Sequence, residues 1–255
     1  MSLSRGSAGD AAAVLCALDL REIALLLDVD GTLLDIAPAP DAVEVPQSLR
    51  DTLARLLAAT NGAVALVSGR AISDLDRLFA PLVLPAIGGH GAEMRLRAGE
   101  KVEAAPPLPP ALRQALMQAA TFDPGLYRED KGYSVALHYR NAPAAQVELA
   151  DRISRTLAHF GSEAVEVLEG KAVFEVKRAG LSKGSAVRLL IQKAPFAGRK
   201  PVFAGDDVTD ETVFAVLPEL GGLGFSVQRA VPGVAGIFSS PNAFRKALAR
   251  LAAKG

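Results

Sequence analysis

The chain has 255 residues, of which 50% are hydrophobic, and its 28 basic and 28 acidic side chains give a formal net charge of zero. This size and composition suffice for a full hydrophobic core. Without a basic excess there is no general attraction to nucleic acid or acidic lipid, so we expect neither a nucleic acid nor a membrane as partner. The single cysteine excludes an internal disulfide, and the three scattered histidines do not form a zinc site. These features are typical of a cytoplasmic protein.

Two carboxylates follow the first predicted strand. After a short amphipathic helix near 11–18, residues 23–27 form an apolar run typical of a strand buried on both faces of a parallel sheet. Ligands of open α/β sheets bind beyond the carboxyl ends of the strands, which places Asp28 and Asp30 at the mouth of a site. Two like charges this close normally need a cation or a shared proton. A solvated acidic turn is the alternative interpretation.

The next strand-helix unit ends in a small polar motif. A predicted helix at 47–59 leads to an apolar strand at 63–67, which is followed by Ser68, Gly69 and Arg70. A hydroxyl group and backbone N–H groups at the start of the following helix make a suitable phosphate cradle. A simple N-cap is the alternative role for the serine. The motif gains weight because it follows the acidic motif by one strand-helix unit.

A glycine-rich loop at 88–93 follows the third predicted strand, at 82–87. Its glycines allow the backbone to approach a ligand closely, and His90 and Glu93 then present polar side chains at the strand end. The alternative is a glycine-rich turn in which His90 caps the strand and Glu93 is solvated.

A proline-rich run at 106–110 marks a change in pattern and predicts a stiff linker. Strand-helix alternation gives way to helix, two strands, helix and two strands, which predicts an α+β insertion with an antiparallel sheet. The helices are predicted near 111–121 and 144–160, and the strands near 125–129, 132–140, 163–168 and 172–177.

The strands of this insertion have one apolar and one polar face. Along 133–140, every second residue is tyrosine, valine or leucine, and the others are serine, alanine, histidine and arginine. Glu175 alternates in the same way with Phe174 and Val176. The apolar face is expected to pack under the two helices. The polar face is either ordinary solvated surface or a set of groups that bind sugar hydroxyls.

The chain then returns to the strand-helix pattern with a helix at 183–193, for which Ser182 is the predicted N-cap. Lys183 in its first turn opposes the helix dipole at a cost of about 0.3–1 kcal/mol, so a nearby anion would explain its placement. The next buried strand, at 201–204, is followed by a cluster of acids that a structural role does not explain, namely Asp206, Asp207 and Asp210.

The alternation of strands and helices predicts an α/β fold with a Rossmann-like parallel-sheet core and helices on both faces. Residues 1–105 and 178–255 form this core, and residues 106–177 form an inserted α+β cap. A nucleotide-binding dehydrogenase shares the sheet pattern. It is disfavoured because no Gly-x-Gly-x-x-Gly follows the first strand.

The segment Asp28-Val29-Asp30-Gly31-Thr32-Leu33 resembles the first motif of the haloacid dehalogenase superfamily, most of whose members are magnesium-dependent phosphohydrolases. Ser68-Gly69-Arg70, Lys183-Gly184 and the acidic segment at 205–210 resemble the next three motifs, in the family's order. Together with the loop at 88–93, they resemble the trehalose-6-phosphate phosphatase branch over about residues 23–227.

This resemblance implies hydrolysis of trehalose 6-phosphate, with Mg²⁺ as cofactor, through an aspartyl-phosphate intermediate. Asp28 is then the nucleophile, and Asp30 is the general acid and base. Ser68 and Lys183 hold the phosphoryl oxygens. The implied metal site, including residues that orient its waters, comprises Asp28, the backbone carbonyl of Asp30, Asp206, Asp207 and Asp210.

In this branch the cap closes over the phosphatase site and reads the sugar. The residues that the resemblance assigns to substrate binding are Thr32, Gly69, Arg70, His90, Glu93, Lys131, His138, Arg140, Lys171 and Glu175. One departure lies at the end of the cap, where relatives carry a basic residue and a proline and this chain has Lys177 and Arg178. The exit from the cap is therefore expected to be built differently.

Several alternatives to this substrate remain open. Phosphatases of sucrose phosphate, mannosyl phosphoglycerate or a hexose phosphate share the core and differ in the cap. A non-catalytic phosphosugar-binding relative is a further alternative, which is disfavoured because a binder would not need Asp30. The expected partner is a small-molecule sugar phosphate, and we expect a cytoplasmic monomer or weak oligomer.

Overall fold

The computed structural model describes residues 8–36, 44–161, 164–170 and 172–254. Its helices are α1 (Ala8–Cys16), α2 (Gln47–Ala59), α3 (Ile72–Phe79), α4 (Pro110–Ala119), α5 (Gln146–Phe160), α6 (Lys183–Leu190), α7 (Glu211–Val216) and α8 (Pro241–Ala252). Within these described ranges, no helix is both long enough and apolar enough to cross a membrane.

The strands are β1 (Ile23–Leu27), β2 (Val64–Val67), β3 (Ala86–Gly88), β4 (Glu93–Arg95), β5 (Glu103–Ala104), β6 (Tyr127–Asp130), β7 (Ser134–His138), β8 (Val165–Gly170), β9 (Val173–Arg178), β10 (Lys200–Gly205), β11 (Leu223–Val227) and β12 (Gly236–Phe238). Short 3₁₀ turns lie at Gly89–Gly91, Pro143–Ala145 and Val208–Asp210.

The chain divides into two compact units. The first comprises Met1–Glu103 and Ser182–Gly255, and the second comprises Ala104–Leu181. The limits predicted for the cap, 106 and 177, fall inside the second unit. The assignment of that unit as a substrate-reading domain stays a prediction.

The first unit is built on an eight-stranded sheet with the order β12-β11-β10-β1-β2-β3-β4-β5. Strand β1 lies between β10 and β2 and is parallel to both. Its side chains alternate between two hydrophobic clusters, one with α1, α2, α3 and α8 and the other with α6 and α7. Leu25 and Leu27 belong to the first cluster, and Ala24 and Leu26 belong to the second. The predicted parallel core with helices on both faces is confirmed.

The second unit is a four-stranded antiparallel sheet with the order β6-β7-β9-β8. Val135 and Leu137 of β7 and Val176 of β9 pack with residues of α4 and α5 in one hydrophobic cluster. The residues between them face the other way, and Ala136 pairs with Glu175 across the ladder. The predicted α+β architecture, with an apolar and a polar sheet face, is confirmed.

Several predicted elements are shorter in the structure. The strand predicted at 82–87 begins at Ala86, immediately after Pro85, because proline has no N–H group to donate to a strand ladder. The strand predicted at 132–140 spans Ser134–His138, and the helix predicted at 183–193 ends at Leu190.

Candidate active site

Four functional side chains of the first unit meet at one edge of its sheet. Asp28 follows β1, Ser68 follows β2, Asp206 follows β10, and Lys183 is the first residue of α6. The Asp28 N–H group donates to Ala204 O at 2.9 Å, so the β1–β10 ladder continues up to the carboxylate. Carboxyl ends of adjacent parallel strands lie side by side, which is why residues far apart in sequence converge here.

The Lys183 ammonium lies between two buried carboxylates. Its Nζ is 2.7 Å from Asp28 Oδ1 and 2.7 Å from Asp210 Oδ1. Burial raises the pKa of Asp28, while the charge of Lys183 opposes this rise. For Lys183, burial acts to lower the pKa, but attraction to Asp28 and Asp210 outweighs it and raises the pKa above its usual value. The lysine is therefore held in its charged form.

A capping box places Lys183 at this point. Ser182 Oγ accepts a hydrogen bond from the Ser185 N–H group, and Ser185 Oγ accepts one from the Ser182 N–H group, both at 3.0 Å. The predicted N-cap role of Ser182 is confirmed. A first-turn lysine is unfavourable for the helix dipole, and its compensating anions are the carboxylates of Asp28 and Asp210.

Asp210 organises the acidic loop after β10. Its Oδ2 accepts hydrogen bonds from the N–H groups of Asp206 and Asp207, at 2.9 and 3.0 Å, while Oδ1 is bound to Lys183. The Asp207 carboxylate is exposed and accepts from the Val208 N–H group at 2.7 Å. Asp210 therefore fixes the loop, and the Asp207 side chain caps the 3₁₀ turn that follows.

The residues at this edge fit a divalent cation. Oxygens of Asp28, Asp206 and Asp210 lie within 4.8 Å of one another, and this cluster includes neither Asp30 nor Asp207 among the described residues. Asp28 Oδ2 is buried, and no described residue donates a hydrogen bond to it. Burial also raises the pKa of Asp206, which is a sign of uncompensated negative charge. Mg²⁺ prefers oxygen ligands such as these carboxylates, and the buried Asp28 Oδ2 is available to serve as one.

Gly31 permits the close approach of the two acidic loops. Its φ is +87°, and a Cβ atom at this position would lie 2.1 Å from Asp206 Oδ2. Thr32 Oγ1 donates to Asp206 Oδ1 at 2.9 Å. Only glycine readily adopts this φ and leaves room for the Asp206 carboxylate, so Gly31 allows Asp206 to lie at this position.

The Asp30 carboxylate is paired with Arg70. Arg70 Nε lies 2.7 Å from Asp30 Oδ2, and Arg70 Nη2 lies 2.7 Å from Asp30 Oδ1. The predicted role of Arg70 was substrate binding, and the structure places two of its donors on the predicted acid–base residue. Local sequence pattern gives no sign of this pairing, because the two residues are 40 positions apart.

Ser68 and the glycine-rich loop form a packed turn. Ser68 is 2% exposed, and its Oγ accepts a hydrogen bond from the Arg70 N–H group at 3.1 Å. A Cβ atom on Gly69 would lie 2.4 Å from Cε1 and Nε2 of His90. The His90 N–H group donates to Ser68 O at 3.1 Å. His90 thus lies directly on the Ser68 turn.

Glu93 has a structural contact in the same region. Its Oε2 accepts a hydrogen bond from the Ile72 N–H group, the first of α3, at 2.6 Å. The helix has no side-chain cap from its own N-cap residue, Ala71, so Glu93 supplies the missing acceptor. The predicted substrate-binding roles of Thr32, Gly69, His90 and Glu93 stay predictions.

In the second unit, polar side chains cluster on the sheet face opposite α4 and α5. Glu175 is 6% exposed, and its Oε1 accepts from Ser134 Oγ at 2.6 Å and lies 3.6 Å from Lys131 Nζ. Glu129, which the sequence did not single out, lies 3.9 Å from Lys131 and 3.8 Å from His138. The nearby His138 lowers the pKa of Glu129, burial opposes this, and Lys131 adds to the lowering. We call Glu129, Lys131, Ser134, His138 and Glu175 the polar cluster.

Two further residues of this unit, Arg140 and Lys171, were predicted to bind the sugar. Arg140 is exposed in the turn after β7, and Lys171 lies outside the described residues. At the end of β9, Arg178 donates to Pro106 O at 3.0 Å and to Pro107 O at 2.8 Å. The position where relatives carry proline is thus used to bind the entry segment of the unit.

Comparisons with known proteins agree with this geometry. The trehalose-phosphatase family model matches residues 26–242. A probable trehalose-phosphate phosphatase of Sinorhizobium fredii is 41% identical over 95% of this chain and 92% of its own. The trehalose-6-phosphate phosphatase of Escherichia coli is 42% identical over 80% of this chain and 77% of its own.

The fold likewise matches solved structures. The C-terminal domain of Candida albicans trehalose-6-phosphate phosphatase superposes with a TM-score of 0.76 over 95% of this chain and 96% of that chain, at 20% identity. That identity supports the shared fold alone, whereas the family match and the curated relatives cover most of this chain. The chain belongs to the trehalose-phosphatase family, whose members are phosphoric monoester hydrolases.

Proposed function

We propose that the protein hydrolyses trehalose 6-phosphate to trehalose and inorganic phosphate. The observation that carries this proposal is the Lys183-centred cluster at the strand ends, where Asp28 keeps one buried oxygen without a donor among the described residues. Such a carboxylate is suited to attack a phosphoryl group. Two relatives of 41% and 42% identity, whose names specify trehalose phosphate, support the choice of substrate.

The proposed cofactor is Mg²⁺, held by the Asp28 and Asp206 carboxylates and, as the family resemblance implies, by the backbone carbonyl of Asp30. Bound there, it would neutralise charge on the phosphoryl oxygens and on the acidic cluster. Asp210 is already committed to Lys183 and to two backbone N–H groups, so its role is to orient these groups. Asp207 lies outside the cluster and would act only through water.

In the first step, an oxygen of the Asp28 carboxylate attacks phosphorus and the bond from phosphorus to the sugar oxygen breaks. Protonated Asp30 gives its proton to the departing sugar oxygen, which yields trehalose and an aspartyl phosphate. Lys183 remains charged beside Asp28 and stabilises the negative charge that gathers on the phosphoryl oxygens. Ser68, at the end of the neighbouring strand, positions these oxygens from the other side.

In the second step, Asp30 takes a proton from a water molecule, and the water oxygen attacks phosphorus. The bond between phosphorus and the Asp28 oxygen breaks, which releases phosphate and restores the carboxylate. Asp30 ends the cycle protonated, ready to donate in the next turnover. The same residue therefore serves both half-reactions, which requires its carboxylate to be held in one place.

The polar cluster is the proposed sugar-binding part of the protein. Glu175 can accept hydrogen bonds from sugar hydroxyls, while Lys131 of the cluster, together with Arg140 in the turn after β7, can donate to others. A disaccharide can satisfy more of these groups than a monosaccharide can. Each buried polar group left without a partner costs about 1–3 kcal/mol, which is enough for roughly tenfold discrimination.

Release of inorganic phosphate from a panel of sugar phosphates tests the proposal. The purified protein should hydrolyse trehalose 6-phosphate faster than sucrose 6-phosphate, mannosyl phosphoglycerate or glucose 6-phosphate, and only with Mg²⁺ present. Asp28→Asn should release no phosphate, because an amide is not a nucleophile. Preference for another sugar phosphate would leave the phosphatase chemistry in place and overturn the substrate. Full activity of Asp28→Asn would overturn the chemistry.

A further inference from the structure

The pairing of Arg70 with Asp30 is a two-point contact on a partly buried carboxylate. Both oxygens accept a guanidinium N–H group at 2.7 Å, with 21% of the Arg70 side chain and 37% of the Asp30 side chain exposed. Ion pairs near a protein surface usually add little to stability, although the bidentate arginine–carboxylate geometry can add more. A bidentate arginine contact also fixes the plane of a carboxylate as well as its position. The geometry therefore orients the Asp30 carboxylate in addition to any effect on the stability of the fold.

The backbone of Arg70 is held by two hydrogen bonds. Its N–H group donates to Ser68 Oγ at 3.1 Å, and its carbonyl accepts from the Gly89 N–H group at 2.8 Å. A Cβ atom on Gly88 would lie only 2.9 Å from the Arg70 carbonyl oxygen. The glycine-rich loop therefore packs against the turn from which the guanidinium projects, and that turn gives the arginine a rigid base.

The backbone beyond Asp30 is also held, but by contacts that leave its side chain untouched. The Gly31 N–H group donates to Leu34 O at 2.7 Å, and Arg245 Nη1 donates to Leu33 O at 2.9 Å. Among the described residues, both hydrogen bonds to the Asp30 carboxylate come from Arg70. The orientation of this carboxylate therefore depends on one side chain.

We infer that Arg70 is a positioning residue for Asp30, and that it acts on the reaction by orienting this carboxylate and not by binding the substrate phosphate. The inference rests on the proposed function, in which Asp30 moves the proton in both half-reactions. Each carboxylate oxygen has two lone pairs, so it can accept from Arg70 and still exchange a proton with the sugar oxygen or with water. A misplacement of about 1 Å is enough to cost about 100-fold in rate.

The test compares two substrates that differ in their need for an acid. Trehalose 6-phosphate has an alkoxide leaving group that must be protonated, whereas para-nitrophenyl phosphate releases a stable phenolate without help. Arg70→Ala should lower kcat/KM for trehalose 6-phosphate, which reports the half-reaction that needs the acid, by about 10- to 100-fold. It should change kcat/KM for para-nitrophenyl phosphate by less than about threefold, whereas kcat falls for both substrates wherever the second half-reaction, in which Asp30 activates water, limits turnover. Arg70→Lys keeps the charge but loses the two-point contact, so it should recover only part of the rate.

A double-mutant cycle separates an indirect role from a direct one. If Arg70 acts through Asp30, Arg70→Ala should have almost no further effect in an Asp30→Asn background. Arg77→Ala is the matched control, because Arg77 lies on the adjacent helix α3 in an exposed ion pair with Asp74. Its kinetics should equal those of the wild type. Additive losses in the cycle, or equal losses of kcat/KM on both substrates, would overturn the inference.

The inference and the proposed function fail in different ways. If the wild type prefers another sugar phosphate, the substrate proposal falls, and the cycle is run with that substrate. A crystal structure of Arg70→Ala gives a readout that needs no turnover. The Asp30 carboxylate should rotate away from its wild-type position or occupy several orientations, with the surrounding backbone unchanged. If the Asp30 carboxylate keeps its wild-type position and orientation in Arg70→Ala, Arg70 is not a positioning residue.

Discussion

Lys183 balances the charge of the acidic cluster at the scale of single residues. One ammonium group serves Asp28 and Asp210, and the Asp206 carboxylate beside them accepts a hydrogen bond from the hydroxyl of Thr32. Three carboxylates and one lysine leave an excess of negative charge at the strand ends. A site of this kind sacrifices some stability of the metal-free fold for the ability to bind a cation.

The pKa shift of Asp206 makes this excess measurable. Burial raises its pKa above the ordinary value of 3.8, Thr32 opposes the rise, and Asp210 adds to it. Because the folded-state pKa is raised, the contribution of Asp206 to stability is present below pH 3.8 and is lost as pH rises through the folded-state value. At neutral pH, the charged form therefore destabilises the metal-free protein.

We expect Asp206→Asn to be more thermally stable than the wild type at pH 7 in the presence of a chelator, with the difference shrinking toward pH 4 or so. Asparagine keeps the acceptor for Thr32 and removes the charge. Addition of Mg²⁺ should raise the Tm of the wild type and leave that of Asp206→Asn almost unchanged. A variant less stable than the wild type in chelator at neutral pH would contradict this account.

The sequence was enough to predict which residues belong to the candidate site, but not which side chains they contact. Asp28, Lys183 and Asp206 were nominated as site residues by local pattern and family resemblance, and the structure brings them together. The pairing of Asp30 with Arg70 and the capping of α3 by Glu93 arise from side-chain directions across separate loops. Periodicity carries no information about such directions.

Helix α6 shows how an element serves the site. Its capping box fixes the first turn, and the first residue of that turn is Lys183. Helix α8 has a comparable cap, in which Ser240 Oγ accepts from the Ala243 N–H group at 3.1 Å. The two helices therefore have similar caps, but α6 begins with Lys183, which binds Asp28 and Asp210.

Ser182→Ala and Ser240→Ala form a matched pair for testing this difference. Loss of an N-cap acceptor costs about 0.5–2 kcal/mol, so both variants should unfold at a lower temperature than the wild type. Only Ser182→Ala should also lower kcat, because the first turn of α6, which positions the Lys183 ammonium, is then less well fixed. Differential scanning calorimetry and phosphate release measure the two effects. Equal loss of kcat in both variants would show that the cap acts only on overall stability.

Elements buried on both faces were the easiest to predict. The bounds of β1 agree with the sequence-based range 23–27, because every residue of such a strand must be apolar or small. Strand β12, by contrast, was not predicted. It has only three residues, including Gly236, and its pairing with β11 is set by the neighbouring strand and not by its own composition.

At the scale of the whole molecule, the two units have separate proposed tasks, and Glu175 tests the division. Glu175→Ala should lower kcat/KM for trehalose 6-phosphate by about tenfold or more, because sugar hydroxyls lose an acceptor. Hydrolysis of para-nitrophenyl phosphate, which needs only the first unit, should change little. Equal loss on both substrates would assign Glu175 to folding or chemistry.

Glu169→Ala is the control for this variant. Glu169 has the same charge and lies on the neighbouring strand of the same sheet, but it pairs with Phe174 and therefore points to the opposite face. It is exposed, and its Oε1 accepts a long hydrogen bond from Gln146 Nε2 at 3.4 Å. Kinetics with both substrates should match those of the wild type.

The contact between Arg178 and the carbonyl groups of Pro106 and Pro107 has a consequence for how such enzymes diversify. It holds the first and last segments of the second unit, residues 104–181, side by side. An inserted segment whose ends meet can be exchanged with little strain on its host. Recombination can therefore transfer this segment between phosphatases as one unit, together with the Arg178 contact that joins its two ends.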